Sequence, residues 1–257
     1  MEAQYVQLVK RIMQDGTLVK SRNGNTKFLV GEQFTFDCNK APLLTRRKMY
    51  YKGIIGELGA FFKGPKHKFD FTSRKCNYWN QWAHEDGTIN IDYGNKWIDF
   101  HGVNQVEQLF KDLRNNPESR RMMITSWDPS NLANLDLPCC HHTYQFIVRD
   151  GYLDMVWMQR SVDTMVGLPS DIFLSWLMLV TIANQSGFKP GKVTMQLGHV
   201  HIYMNHEKQV YKYLSQQAHE LPHWEIDNDL LTDNVAVDKI RIIDYNYSDP
   251  ISFELNV

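Results

Sequence analysis

Near the N-terminus, apolar side chains recur at Tyr5, Leu8, Val9, Ile12 and Met13, the three-and-four spacing of one helix face, and Asp15-Gly16 ends the run. Residues 27–37, KFLVGEQFTFD, predict a pair of short strands. Residues 49–63 predict a helix rich in apolar groups with Glu57 inside its pattern. From residue 119 the pattern changes. RRMMITSW, YQFIVRDGYLDMVWMQRS, KVTMQLGHVHIYMN and DKIRIIDYNY are strand-like, dense in Val, Ile, Tyr, Phe and Trp, and Asp150-Gly151 between two such runs is a hairpin signal. Helices are expected at 170–186 and 205–217. Strands and helices mix without regular alternation, so the expected fold class is α+β around a large sheet. The longest apolar run, residues 172–183, holds Ser175 and Thr181 and is too short to cross a bilayer, which predicts a buried helix. With no repeat, low-complexity tract or Pro/Ser-rich linker, one domain over 1–257 is the expectation.

Composition narrows the function classes. Hydrophobic residues at 43% and charged ones at 22% are ordinary globular values. A net charge of -1 argues against a nucleic-acid binder driven by a basic surface, while leaving room for a small anion held by a few arginines. The opening MEAQYVQLVKRIMQDG lacks the hydrophobic region of a signal peptide. Cys38, Cys76, Cys139 and Cys140 make neither a disulfide framework nor a CxxC pair, and the neighbours Cys139 and Cys140 can join only in a strained geometry. These features lead us to expect a cytoplasmic protein.

Candidate chemistry begins at Cys140, inside LPCCHHTYQF: a thiolate stabilised by nearby positive charge is a nucleophile, whereas most cysteines are buried bystanders. In QRSVDTMVGLPSD, Arg160 and Ser161 set a guanidinium beside a hydroxyl, either a phosphate clasp or a strand with one salt-bridging arginine. The pair Arg120-Arg121 invites the same two readings. His199 and His201 of GHVHIYMNH share one face of a strand, but no Asp, Glu or Cys accompanies them at a zinc-motif spacing, so no metal is expected.

Taken in order, LPCCHHTYQFIV, QRSVDTMVGLPSDI and GHVHIYMNH resemble the thymidylate synthase family. DGTLVKSRNGNTKFLVGEQFTFD, LTRRKMYYKGIIGELGAFFKG, YWNQWAHEDGTINIDYGNKW, SRRMMITSWDPSNL and DYNYSDPISFELNV extend the resemblance over nearly the whole chain. It implies a large mixed sheet with flanking helices, one sheet face forming a homodimer interface. It implies Cys140 as the nucleophile on carbon 6 of a pyrimidine, and Glu57 as the carboxylate managing protons and an ordered water. Arg22, Arg160 and Ser161 are implied as phosphate ligands, joined by Arg120 and Arg121 reaching into the partner's site. His201 and Tyr203 would hold the sugar hydroxyl. Trp79, Trp82, Asp163 and Gly167 would line the folate side, with Tyr93, His141 and Gln145 as further pocket residues. The implied co-substrate is 5,10-methylenetetrahydrofolate. Converging arginines should also lower the pKa of the Cys140 thiol.

Asp171, in GLPSDI, departs from the asparagine of the synthases, whose amide pairs with uracil. Cytosine presents an amino donor at position 4 and a bare acceptor at nitrogen 3, so a carboxylate there favours cytosine, especially once nitrogen 3 is protonated, and opposes the 4-oxygen of uracil. The competing reading is that Asp171 caps the helix that follows. With Asp171 the pattern is that of the deoxycytidylate hydroxymethylases, which transfer a methylene to carbon 5 of dCMP and capture it with water, leaving tetrahydrofolate. Methylation of dCMP, hydroxymethylation of CMP, thymidylate synthesis and a silent nucleotide- or RNA-binding regulator are the alternatives. Cys139, Ser170 and His199 also depart from the pattern, replacing a proline, an aromatic and an aspartate.

Overall fold

The computed structural model describes residues 1–21, 23–226 and 240–256. Helix α1 (Glu2–Asp15) turns the predicted stripe inward: Tyr5, Leu8, Val9, Ile12 and Met13 are all buried. Strands β1 (Thr17–Ser21) and β2 (Gly24–Asp37) follow as an antiparallel pair. The expected pair of short strands in 27–37 is instead this one long strand. Gly31 takes φ +73, a left-handed kink that glycine adopts without steric cost, and the ladder keeps its register across it, with Val30 opposite His199 and Glu32 opposite Leu197. The chain then forms α2 (Tyr51–Phe61), the short α3 (Lys68–Thr72) and α4 (Asn95–Ile98), and α5 (Gln105–Asn115).

Strands β3 (Met123–Thr125), β4 (His141–Arg149) and β5 (Tyr152–Asp163) form a meander, with Asp150-Gly151 in the predicted tight turn. Helix α6 (Gly167–Ser186) crosses over to β6 (Lys189–Tyr203), and α7 (Glu207–Ser215) and a separate hairpin, β7 (His223–Ile226) with β8 (Ile240–Ile243), complete the described chain. The six-stranded sheet runs β1-β2-β6-β5-β4-β3. Only β5 and β6 are parallel, the pair that the α6 crossover joins. This is the expected α+β architecture, a large mixed sheet flanked by helices.

Helix α6 is long and apolar enough to cross a membrane by length and composition, yet 78% of its most apolar stretch is buried inside the protein. It packs on β5 and β6, α1 packs on β2 and β6, and α2 lies against α6. Alternate residues of a strand share a face, so one row on β5 (Met155, Trp157) and one on β6 (Val193, Met195) are fully buried on this side. The same rows continue as Gln159, Ser161 and Asp163, and as His199, His201 and Tyr203. There the sheet gives way to a cavity.

Candidate active site

Two cavities occupy this end of the sheet. The larger, about 570 Å³, is reached by Cys140 from the residue before β4, Glu57 from α2, and Trp79 and Trp82 from the turn Tyr78–Trp82. Gln159, Ser161 and Asp163 reach it from β5, and Gly167 and Asp171 from the first turns of α6. The smaller, about 380 Å³, shares Ser161 with it and is lined by Asn23, Thr26, Arg160, His199, His201 and Tyr203. Residues scattered from 23 to 203 thus meet in one place.

The Cys140 peptide N–H donates to the Tyr93 hydroxyl. Arg160 donates from Nε to the Cys139 carbonyl at 2.8 Å and from Nη2 to the Pro138 carbonyl at 3.1 Å, clamping the loop that presents the cysteine. The expectation of a lowered thiol pKa is corrected: burial pushes the Cys140 thiol above its usual value, and Asp171 adds to the rise against the opposing charge of Arg160. Arg120 and Arg121 bring no help within this chain. They are exposed in the turn before β3 and line neither cavity.

Two acids face the larger cavity. Glu57 accepts from Trp79 Nε1 at 2.8 Å, and burial raises its pKa to about 8 despite that bond. Asp171 accepts from Gln159 Nε2 at 2.6 Å through Oδ2, and burial raises it to about 7. Its Oδ1 lies 4.0 Å from His141 Nε2, and burial keeps that imidazole neutral, with its pKa lowered to about 3, so the two do not form an ion pair. The capping role for Asp171 is excluded by position, since α6 begins at Gly167. No side chain caps α6; Asp163 instead braces the turn ahead of it, its Oδ1 accepting from the N–H groups of Met165 at 2.9 Å and Val166 at 3.2 Å. The other oxygen of Asp163 is buried without a partner.

Gln145 is the misplaced expectation. Tyr144 and Phe146 point into the core, so alternation along β4 puts Gln145 with Thr143 and Ile147 on the opposite sheet face, away from both cavities. Arg22 lies outside the described residues. No three His, Cys, Asp or Glu side chains among the described residues converge as a metal site. Sequence reasoning missed Gln159, which fixes the Asp171 carboxyl. The available signal was its spacing, two residues before Ser161 and four before Asp163 on one strand face. Asn23 and Thr26 carried no comparable signal.

The family model described as "Thymidylate synthase" matches residues 3–257. A thymidylate synthase of Mycoplasma pneumoniae is 31% identical over 285 aligned residues, covering 99% of each chain. The clustered cysteine, acids, tryptophans and arginine all lie within the residues that this match spans, and the chain belongs to the thymidylate synthase family.

Proposed function

We propose that this chain is a deoxycytidylate 5-hydroxymethyltransferase, converting dCMP to 5-hydroxymethyl-dCMP and leaving tetrahydrofolate. The family is one of folate-dependent one-carbon transferases whose members are dimers binding nucleotide and folate. Within it, the observation that carries the reading is Asp171. Asp171 lines the cavity with Oδ2 held by Gln159 and Oδ1 lying 4.0 Å from His141 Nε2, so the carboxyl is oriented before any ligand arrives. Held near neutrality by burial, it can pass its proton to nitrogen 3 of cytosine and then face two donors, that nitrogen and the 4-amino group. The 4-oxygen of uracil is a much weaker base.

Cys140 adds to carbon 6, and the electron pair of the 5,6 double bond moves to carbon 5, which becomes the nucleophile. Methylenetetrahydrofolate, the family's co-substrate, supplies the carbon unit at the methylene level. Carbon 5 bonds to that methylene, and loss of the carbon 5 proton then breaks the methylene–nitrogen bond, releasing tetrahydrofolate and leaving an exocyclic methylene on the base. Addition of water there, with the electron pair returning to re-form the 5,6 double bond, expels Cys140 as thiolate. Glu57, fixed by Trp79, orients that water and takes its proton. The walls suit a folate: Trp79 and Trp82 offer flat apolar surfaces beside Gly167, and the unpartnered oxygen of Asp163 is an acceptor for ring N–H donors. Arg160 and Ser161 take the phosphate, with Arg22, and His201 and Tyr203 the sugar. Arg120 and Arg121, exposed and unused here, complete the partner's site and add to the positive charge that Arg160 alone brings to the half-buried thiol. His141 and Tyr93 support the base and the nucleophile. All four cysteines are free, in keeping with a cytoplasmic enzyme.

The name of the Mycoplasma relative favours a second reading, reductive methylation of a uracil nucleotide. Exchange at position 171 separates the two. The wild-type protein should turn over dCMP at least about tenfold better than dUMP, and Asp171→Asn should reverse the preference, since an unmatched buried polar group costs about 1–3 kcal/mol. An unchanged ratio of kcat/KM values would remove the support from Asp171.

A further inference from the structure

The smaller cavity holds a pair of imidazoles whose chemistry neither the one-carbon transfer nor the base recognition uses. His199 and His201 project from β6 on one face, and their Nδ1 atoms lie 3.3 Å apart, within hydrogen-bond reach. Two Nδ1 atoms can make that contact only if one carries a proton and the other does not. Burial and the neighbouring His199 lower the His201 pKa to about 4, so a doubly protonated pair is excluded at neutral pH. His199 is also held in place: its ring stacks on Phe28 with centroids 4.4 Å apart and planes within 15°. On the other side, the ladder sets Ser161 opposite His199 and Asp163 opposite His201. The same cavity contains an unsatisfied group, the Thr26 hydroxyl, buried and without a partner.

We propose that His199 is a positioning residue that sets the tautomer of His201. The two rings share one proton between their Nδ1 atoms, are locked in opposite tautomers, and so give the remaining nitrogen of His201 a single hydrogen-bonding role toward a sugar hydroxyl of the nucleotide. This rests on the reading of the cavity as the sugar and phosphate end of the nucleotide site. A ring that cannot choose its tautomer freely also has less to reorganise when the ligand docks.

Nitrogen-15 NMR of histidine-labelled, ligand-free protein at neutral pH reads the tautomers directly. The expected result is one ring protonated at Nδ1 and the other at Nε2, with a coupling across the Nδ1–Nδ1 hydrogen bond. Both rings in the same tautomer would overturn the proposal. This measurement needs no substrate, so it stands even if the assignment of reaction fails. In the kinetic arm, His199→Phe keeps the stack on Phe28 and removes the nitrogen, while His199→Asn keeps an amide near the position of Nδ1. The Phe variant should raise the nucleotide KM about tenfold, the worth of one oriented hydrogen bond, with little change in kcat or in the folate KM. The Asn variant should recover most of that loss. A nucleotide KM unchanged in the Phe variant, with a native melting profile, would contradict the proposal.

Discussion

Glu57 shows how a single neighbour limits what burial does to an acid. Its carboxyl is raised to about 8 by desolvation, and the Trp79 indole N–H, 2.8 Å away, is the group holding it down. Trp79→Phe keeps the aromatic surface and removes that donor, so the charged form loses its hydrogen bond and the pKa must rise further. Carbon-13 NMR of the Glu57 carboxyl should show the upward shift, and a downward one would mean that another group controls this acid. At this scale the sequence was legible as to place: the motifs that single out Cys140, Arg160 and Asp171 do bring these residues to the two adjoining cavities. It misled at the thiol pKa, because the sign depends on how deeply Cys140 is buried against how close its cations stand. Gln159 was silent for a similar reason: an amide in a strand reveals nothing until α6 brings Asp171 to it.

At the level of elements, the site depends on how closely β5 and β6 approach. A methyl group added at Gly198 would sit 2.7 Å from the Arg160 carbonyl oxygen, closer than packed atoms come. Gly198→Ala must therefore push β6 away from β5 where Arg160, Ser161 and His199 are placed. We expect about 1–3 kcal/mol of destabilisation and weaker nucleotide binding, read by thermal melting and by titration with the nucleotide. A native melting temperature with unaltered affinity would show that the two strands adjust without cost. Periodicity predicted α1 and the hairpin at Asp150-Gly151 well, since each buries one regular stripe or row, while α2 and α6, buried nearly all round, showed as apolar-rich runs. It divided β2 in two because Gly31 reads as a break, whereas tertiary pairing with β6 carries the strand through the kink. Of RRMMITSW only Met123–Thr125 pairs as strand, and the arginines ahead of it stay in a turn at the surface.

For the molecule as a whole, the two acids tie stability to pH. Glu57 and Asp171, at about 8 and about 7, bind protons more tightly folded than an unfolded carboxyl does near 4. Between about pH 4 and about pH 8 the native state therefore holds more protons than the unfolded state, and stability falls as pH rises through that window. A tenfold difference in proton affinity between the two states corresponds to roughly 1.4 kcal/mol at most. The melting temperature should drop from about pH 5 to about pH 8 more steeply in the wild-type protein than in a Glu57→Gln/Asp171→Asn double variant. Parallel curves would mean that these carboxyls do not keep their raised values in solution.

The same two acids lead back to the reaction. Glu57 and Asp171 both line the larger cavity, and the proposed reaction gives the water to one and the base to the other. The most direct test is to incubate the protein with methylenetetrahydrofolate and either dCMP or dUMP, identify the nucleotide product by mass, and follow dihydrofolate by absorbance. We predict a dCMP product heavier by one CH2O unit with no dihydrofolate formed. A methylated product accompanied by dihydrofolate, from either nucleotide, would contradict the account.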